Sequence, residues 1–358
     1  MRNGSKRRRR IIRLATVLVT ILVVVAGGLD GEFSTTWAAA GKPLKIRMAT
    51  LAPKGSSFHL SLQVMGQKWR QAPEGGATLT IYTDGTMGGE YDVIRRMRIG
   101  QLQAAMLTVV GLSEIDESIN VLEYMPMMFR SLEEMEYVLE QLRPTLEKKM
   151  LDKGFVTLFW GDAGWIRFFT NKPVKYPEDL KKMKSFVWAG DTQQLDLMKA
   201  AGYHAVPLEA SDILTGLQTG MIDVVSTTPT YALAGQFYRR AKYMLEVNWA
   251  PLMGATVVTK KAWDRLTARD REFIMETAAE AGREIKTQSR LEAEQSVEAM
   301  KKRGLVVQEV GPEIEARWIA AAEEVYPKIR GPMVSEEIFD EVRRIIREYR
   351  EAKRKEPE

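Results

Sequence analysis

Apolar residues in this chain recur in two rhythms. Short solid runs rich in β-branched and aromatic side chains alternate with longer stretches whose apolar positions return every three or four residues. The first rhythm predicts buried strands and the second amphipathic helices. Leu44–Thr50, Ala77–Tyr82 and 104–110 read as strands. Between them lie a helix capped by Ser56 or Ser57, with Phe58, Leu62, Met65 and Trp69 on one face, and a second helix over 89–99. The β-strand ends at 51–57 and 109–112 are expected to face a cleft. Ser131-Leu132-Glu133-Glu134 is a capping box ahead of a long helix with Leu132, Met135, Val138, Leu142, Leu146 and Met150 along its face.

A second α/β unit follows. The run 155–160 reads as a buried strand closed by Gly161, and 183–188 as another strand. Residues 191–201 predict a helix stopped by Gly202, 212–220 a further helix, and 221–226 a strand ended before Pro229. Residues 243–259 return as one or two strands. Such alternation predicts an α/β fold with a parallel, doubly wound sheet, which takes ligands beyond the carboxyl ends of its strands. Chain that leaves and returns makes a hinge between two lobes, lobe I over 41–163 and 250–290 and lobe II over 164–249 and 291–330. The longest helix should run from Thr267 to Arg303, about 36 residues or about 54 Å. After a strand over 305–309, the segment 331–358 holds a last helix from Ser335 and a charged tail. Its stripe of Phe339, Val342, Ile346 and Tyr349 either packs on the hinge or serves a homodimer partner.

The first 40 residues are set apart by composition. Lys6 and Arg7 to Arg10 precede an apolar core over 14–26, and Ala38-Ala39-Ala40 offers a cleavage site, so the segment reads as a signal peptide with the mature chain starting at Gly41. It carries seven basic residues and two acidic ones, a net of +5 that equals the net charge of the whole chain. The mature chain is therefore near neutral, and a nucleic-acid partner loses its main support. With no cysteine in the chain, an exported protein of this kind is stabilised by packing without disulfides.

Arg167 stands out chemically. It sits in Trp165-Ile166-Arg167-Phe168-Phe169-Thr170, and a guanidinium buried among apolar groups calls for an anion, since leaving it unpaired costs several kcal/mol, on the order of the penalty per buried ion. Its planar fork matches a carboxylate. Phe186, Trp188, Trp165, Tyr231 and Trp249 lie at strand ends as candidate aromatic walls. Ser56, Thr227 and Thr228 are candidate hydroxyl donors. Asp223 reads as structural, and His59 and His204 as isolated, satisfied histidines. Neither a metal-ligand cluster, nor a nucleophile elbow, nor a nucleotide loop stands out, so no cofactor, metal or catalytic residue is assigned.

The residues also carry a resemblance. Arg167-Phe168-Phe169-Thr170-Asn171-Lys172-Pro173-Val174, Pro177-Glu178-Asp179-Leu180-Lys181, Leu217-Gln218-Thr219-Gly220-Met221-Ile222-Asp223 and Pro229, with Gly85-Thr86-Met87-Gly88-Gly89-Glu90 and Ile99-Gly100-Gln101 upstream, resemble the periplasmic solute-binding proteins of tripartite ATP-independent periplasmic (TRAP) transporters. The resemblance spans roughly residues 44 to 310. It implies a two-lobe receptor, not an enzyme, that closes on a small organic acid and delivers it to membrane permease subunits. It also implies that the long helix crosses both lobes as a spine, and that Arg167 helps hold the ligand carboxylate. One departure is plain: the family usually has its principal carboxylate-clamping arginine where this chain has Phe186. A monocarboxylate with an apolar or aromatic body is therefore expected, with a betaine-like zwitterion in an aromatic cage, or an exported enzyme on the same fold, as alternatives.

Overall fold

The computed structural model describes residues 42–355. The signal peptide expected over 1–40 and its cleavage point lie outside the described residues. In the first lobe, β1 (Leu44–Thr50), β2 (Ala77–Tyr82) and β3 (Ala104–Thr108) lie parallel in the order β2-β1-β3, joined by α1 (Ser57–Trp69) and α2 (Glu90–Arg98). Ser56 caps α1, accepting from the His59 amide. After a short α3 (Val109–Ser113) and a 3₁₀ turn at Glu117–Leu122, α4 (Leu132–Asp152) begins where expected. Ser131 Oγ accepts from Glu134 N at 3.1 Å, but the Glu134 carboxylate reaches one residue past the cap, to Arg130 N at 2.6 Å.

The strand 155–160 does not stop at Gly161. β4 runs from Phe155 to Thr170 and lies antiparallel to an equally unbroken β8 (Tyr243–Thr259) along nearly its whole length. Three register shifts interrupt the ladder, between Thr157 and Phe159, Asp162 and Trp165, and Ile166 and Phe168. Gly164 supplies the left-handed backbone, φ 81°, that the middle bulge requires. These two strands connect the lobes: the far end of β8 pairs with β3 in lobe I, and the C-terminal end of β4 pairs with β7 (Val224–Thr227) in lobe II.

Between β4 and β7 come α5 (Pro177–Leu180), β5 (Lys184–Trp188), α6 (Thr192–Ala200), β6 (His204–Leu208) and α7 (Ile213–Thr219). β6 was not anticipated, because it is half-exposed and contains Pro207. It occupies the sheet edge, where a proline's missing N–H leaves no ladder bond unmade. The nine strands of the described residues form one sheet in the order β2-β1-β3-β8-β4-β7-β5-β6, with β9 (Val306–Gln308) alongside β8. Asp223 is structural as expected, accepting from Asn171 Nδ2 at 2.8 Å and Lys184 N at 2.9 Å.

Past α8 (Pro229–Ala234) and α9 (Lys260–Trp263), α10 (Ala268–Lys301) is the long helix, capped by Thr267. Its Ile274, Ala278 and Ile285 enter the lobe I core beside Leu62, Met65 and Trp69, whereas Met300 enters the lobe II core beside Phe169 and Met244. Gly282 lets it lie close on the hinge, since a Cβ there would come within 2.8 Å of the Phe159 ring. Helices thus cover both faces of the sheet in each lobe. Finally, α11 (Pro312–Ile329) leads to α12 (Glu336–Lys355), whose Phe339, Val342 and Ile346 are buried in the lobe I core, with Tyr349 5.0 Å from the Tyr137 ring. Of the two readings of this stripe, packing within the chain is the one met, on the first lobe rather than on the hinge strands.

Candidate functional site

A cavity of about 160 Å³ lies between the lobes, at the carboxyl ends of β1, β3, β5 and β7 and against the crossing segments of β4 and β8. Lobe I contributes the turn after β1, including Pro53 and Ser56, and Thr108 at the end of β3. Of the two stretches expected to face the cleft, the first lines this cavity at Leu51, Ala52, Pro53 and Ser56, whereas 106–108 does so in place of 109–112. Lobe II contributes Phe186, Trp188 and the run from Ser226 to Thr228. The lobes meet at the rim. Asn120 Nδ2 donates to Gln193 Oε1 at 2.8 Å, and the buried Tyr124 hydroxyl donates to Asp191. Gly190, at φ 94°, makes room for Tyr91, whose Cβ would stand 3.2 Å from a Cβ at that position.

Of the side chains singled out in the sequence, Ser56, Phe186, Trp188, Thr227, Thr228 and Tyr231 line this cavity. Arg167, Trp165 and Trp249 are not among the lining residues, and the expectation for each is corrected. Arg167 donates from Nη1 to Glu246 Oε1 at 3.0 Å and from Nη2 to Asn248 Oδ1 at 3.1 Å, both on β8, so its charge is already met within the protein. Trp165 packs against the lobe I core, and Trp249 lies 5.3 Å from the Phe168 ring and 5.9 Å from that of Trp318. His59 accepts from Gly55 N at 3.0 Å, a satisfied histidine as expected.

The aromatic wall is continuous. Phe186 meets Trp188 edge-on at 4.9 Å, and Trp188 lies 6.3 Å from Tyr231, whose phenol burial pushes up to about 12. Such faces bind apolar bodies and cations alike. Among the hydroxyls, Ser56 is occupied by its cap and by Pro53 O, and Thr228 caps α8 through Tyr231 N. Thr230 Oγ1 is buried at the cavity without a partner among the described residues.

Sequence reasoning missed the acids. Glu90, Glu123 and Asp162 line the cavity, and among the described residues no lysine or arginine does. Glu90 accepts from Thr108 N (2.8 Å), Thr108 Oγ1 (2.6 Å) and Gly111 N (2.9 Å), which partly offset the burial that raises its proton affinity. Asp162 pairs with Arg290 of α10 at 2.9 Å. Glu123 has one long hydrogen bond, from Met253 N at 3.4 Å, and burial pushes its carboxyl well above the usual carboxylate range. Glu90 ends the glycine-rich motif already quoted, the one signal that could have found it. Glu123 sits in an unremarkable apolar run.

Residues 48–331 match the family described as DctP, bacterial extracellular solute-binding protein, family 7. The 2,3-diketo-L-gulonate-binding periplasmic protein YiaO of Escherichia coli (strain K12) is 24% identical over 294 residues, 81% of this chain and 87% of that protein. The crystal structure of a TRAP periplasmic solute-binding protein from Pseudomonas putida F1, with bound D-glucuronate, has 28% sequence identity and a TM-score of 0.76, covering 84% of this chain and 96% of that one. Another from Shewanella oneidensis, with bound succinate, has a TM-score of 0.78 over 85% of this chain and 99% of that one. At 19% identity the latter shows the shared fold alone.

Proposed function

The chain belongs to bacterial extracellular solute-binding protein family 7, the solute receptors of TRAP transporters, and from that premise we propose that it captures a small organic acid with an apolar or aromatic body. It acts in the periplasm without chemical turnover and passes its cargo to a TRAP-type permease. The observation that carries this reading is the wall of Phe186, Trp188 and Tyr231 on one lobe, facing the turn after β1 on the other. A solute seated between them touches both lobes at once. It therefore favours the closed arrangement by the difference in its contacts between closed and open forms. The D-glucuronate in the Pseudomonas putida receptor and the 2,3-diketo-L-gulonate bound by YiaO support an acid, and the aromatic wall supports a single acidic group on a bulky body rather than two.

A specific observation favours a second reading. The titratable side chains lining the cavity include three acidic groups and, among the described residues, no base, which suits a betaine-like zwitterion with its cationic head against the rings.

Mass spectrometry of the denatured protein, to identify what copurifies, and thermal shift with phenylpyruvate, D-glucuronate, succinate and glycine betaine test both. A solute at a hundred times its Kd adds about 2.7 kcal/mol to stability. Phenylpyruvate is expected to raise Tm most. A larger shift with glycine betaine selects the second reading, and conversion of any bound solute to product removes the receptor assignment.

A further inference from the structure

Glu123 follows directly on the 3₁₀ turn Glu117–Leu122 and reaches the cavity although only 9% of the residue is exposed. Its Oε2 accepts from Met253 N of β8, while its other oxygen makes no hydrogen bond among the described residues. The charged and titratable groups around it come from every neighbouring element. Glu90 of α2 is saturated by the Thr108 and Gly111 donors, Asp191 ahead of α6 receives the Tyr124 hydroxyl, and Asp162 of β4 is paired with Arg290 of α10. We propose that Glu123 is the group that reads the solute, donating a carboxyl proton to an acceptor oxygen of the bound acid where a guanidinium was expected.

The geometry supplies the reason. A carboxyl whose one oxygen accepts from a backbone amide and whose other oxygen is left toward the cavity is a directional donor as long as it keeps its proton. Burial favours the proton first, and the charges of Glu90 and Asp191 favour it further, against the single Met253 amide. A solute carboxylate approaching from lobe II would hold that proton more tightly still, because two anions cannot share so small a space without one between them. The same arrangement explains how an acid can be taken by a cavity whose lining carries no base. It also makes the site responsive to pH, since the donor is lost when Glu123 ionises.

This proposal rests on the reading of the solute as an acid, and the experiment separates the two. Infrared spectra at neutral pH should show a protonated-carboxyl band that is absent from E123Q. If wild type and E123Q have the same spectrum in that region, the proposal falls whatever the protein binds. Titration with phenylpyruvate, followed by tryptophan fluorescence, should show wild-type affinity falling at least about tenfold as pH rises through the ionisation of Glu123. E123Q, whose amide remains a donor at any pH, should bind with little pH dependence, and E123L should bind at least about tenfold more weakly at about pH 6. Unchanged affinity in E123L, or wild-type affinity that rises with pH, overturns the proposal. Failure of every acid to bind while glycine betaine binds sinks the solute class instead, with the infrared band still deciding the proton on Glu123.

Discussion

Arg167 is 18% exposed at its side chain and spans two β8 partners, one charged and one neutral. It acts as a tie between hinge strands. Replacing it by alanine is expected to cost about 1–2 kcal/mol, the range of a partly exposed charged hydrogen bond, visible in urea unfolding. Solute affinity measured by calorimetry should stay within about twofold. Glu123 carries the opposite kind of burden. Because burial raises its folded proton affinity, its contribution to stability is complete below the usual carboxylate range and is lost as pH rises through its folded value. The Tm of E123Q without solute should therefore gain on that of wild type as pH rises from about 5 to about 8. The chemistry of Arg167 was legible in the sequence, but its direction was not. A strand side chain points to one face or the other according to the residue count, and the shifts in β4 on both sides of Ile166 change that count.

Helices announced themselves through their ends. Ser56, Ser131 and Thr267 each accept from an amide three residues on, as their spacing required, so helix starts were readable to within a residue. Strands were less so, because Gly161 and Gly164 look like stops, yet β8 holds β4 in line through both. β6 carries no solid apolar run to betray it, being stabilised by its pairing with β5 along five residues. The last helix shows tertiary packing deciding what periodicity left open. Phe339 is 1% exposed and sits in the lobe I core, with the Tyr326 ring of α11 at 5.8 Å. Phe339→Ala should cost about 3–5 kcal/mol in chemical denaturation, the loss expected of a buried phenylalanine. A helix reserved for a second copy would show almost no loss as a monomer.

Across the whole molecule, closure depends on contacts remote from the cavity floor. The Tyr124 hydroxyl on Asp191 and the Asn120 amide on Gln193 join lobe I to the helix α6 of lobe II. Both bonds run from lobe I to lobe II, so under the proposed closure they add to solute affinity without touching the solute. Tyr124→Phe removes one of them at nearly constant volume. Affinity for phenylpyruvate should fall by about five- to tenfold, equivalent to about 1–1.4 kcal/mol, with fluorescence titration as the check. An unchanged affinity would mean that the lobes close without help from this rim.

The helix α10 has one end seated among Ile274 and Ile285 in the first lobe and the other at Met300 in the second. A rod rooted in both halves resists bending, and the resistance grows with the angle through which they swing. On the proposed reading, how widely the mouth gapes is limited by a member far from the cargo. Softening that rod would alter the amplitude of each capture stroke while leaving every side chain that meets the solute in place.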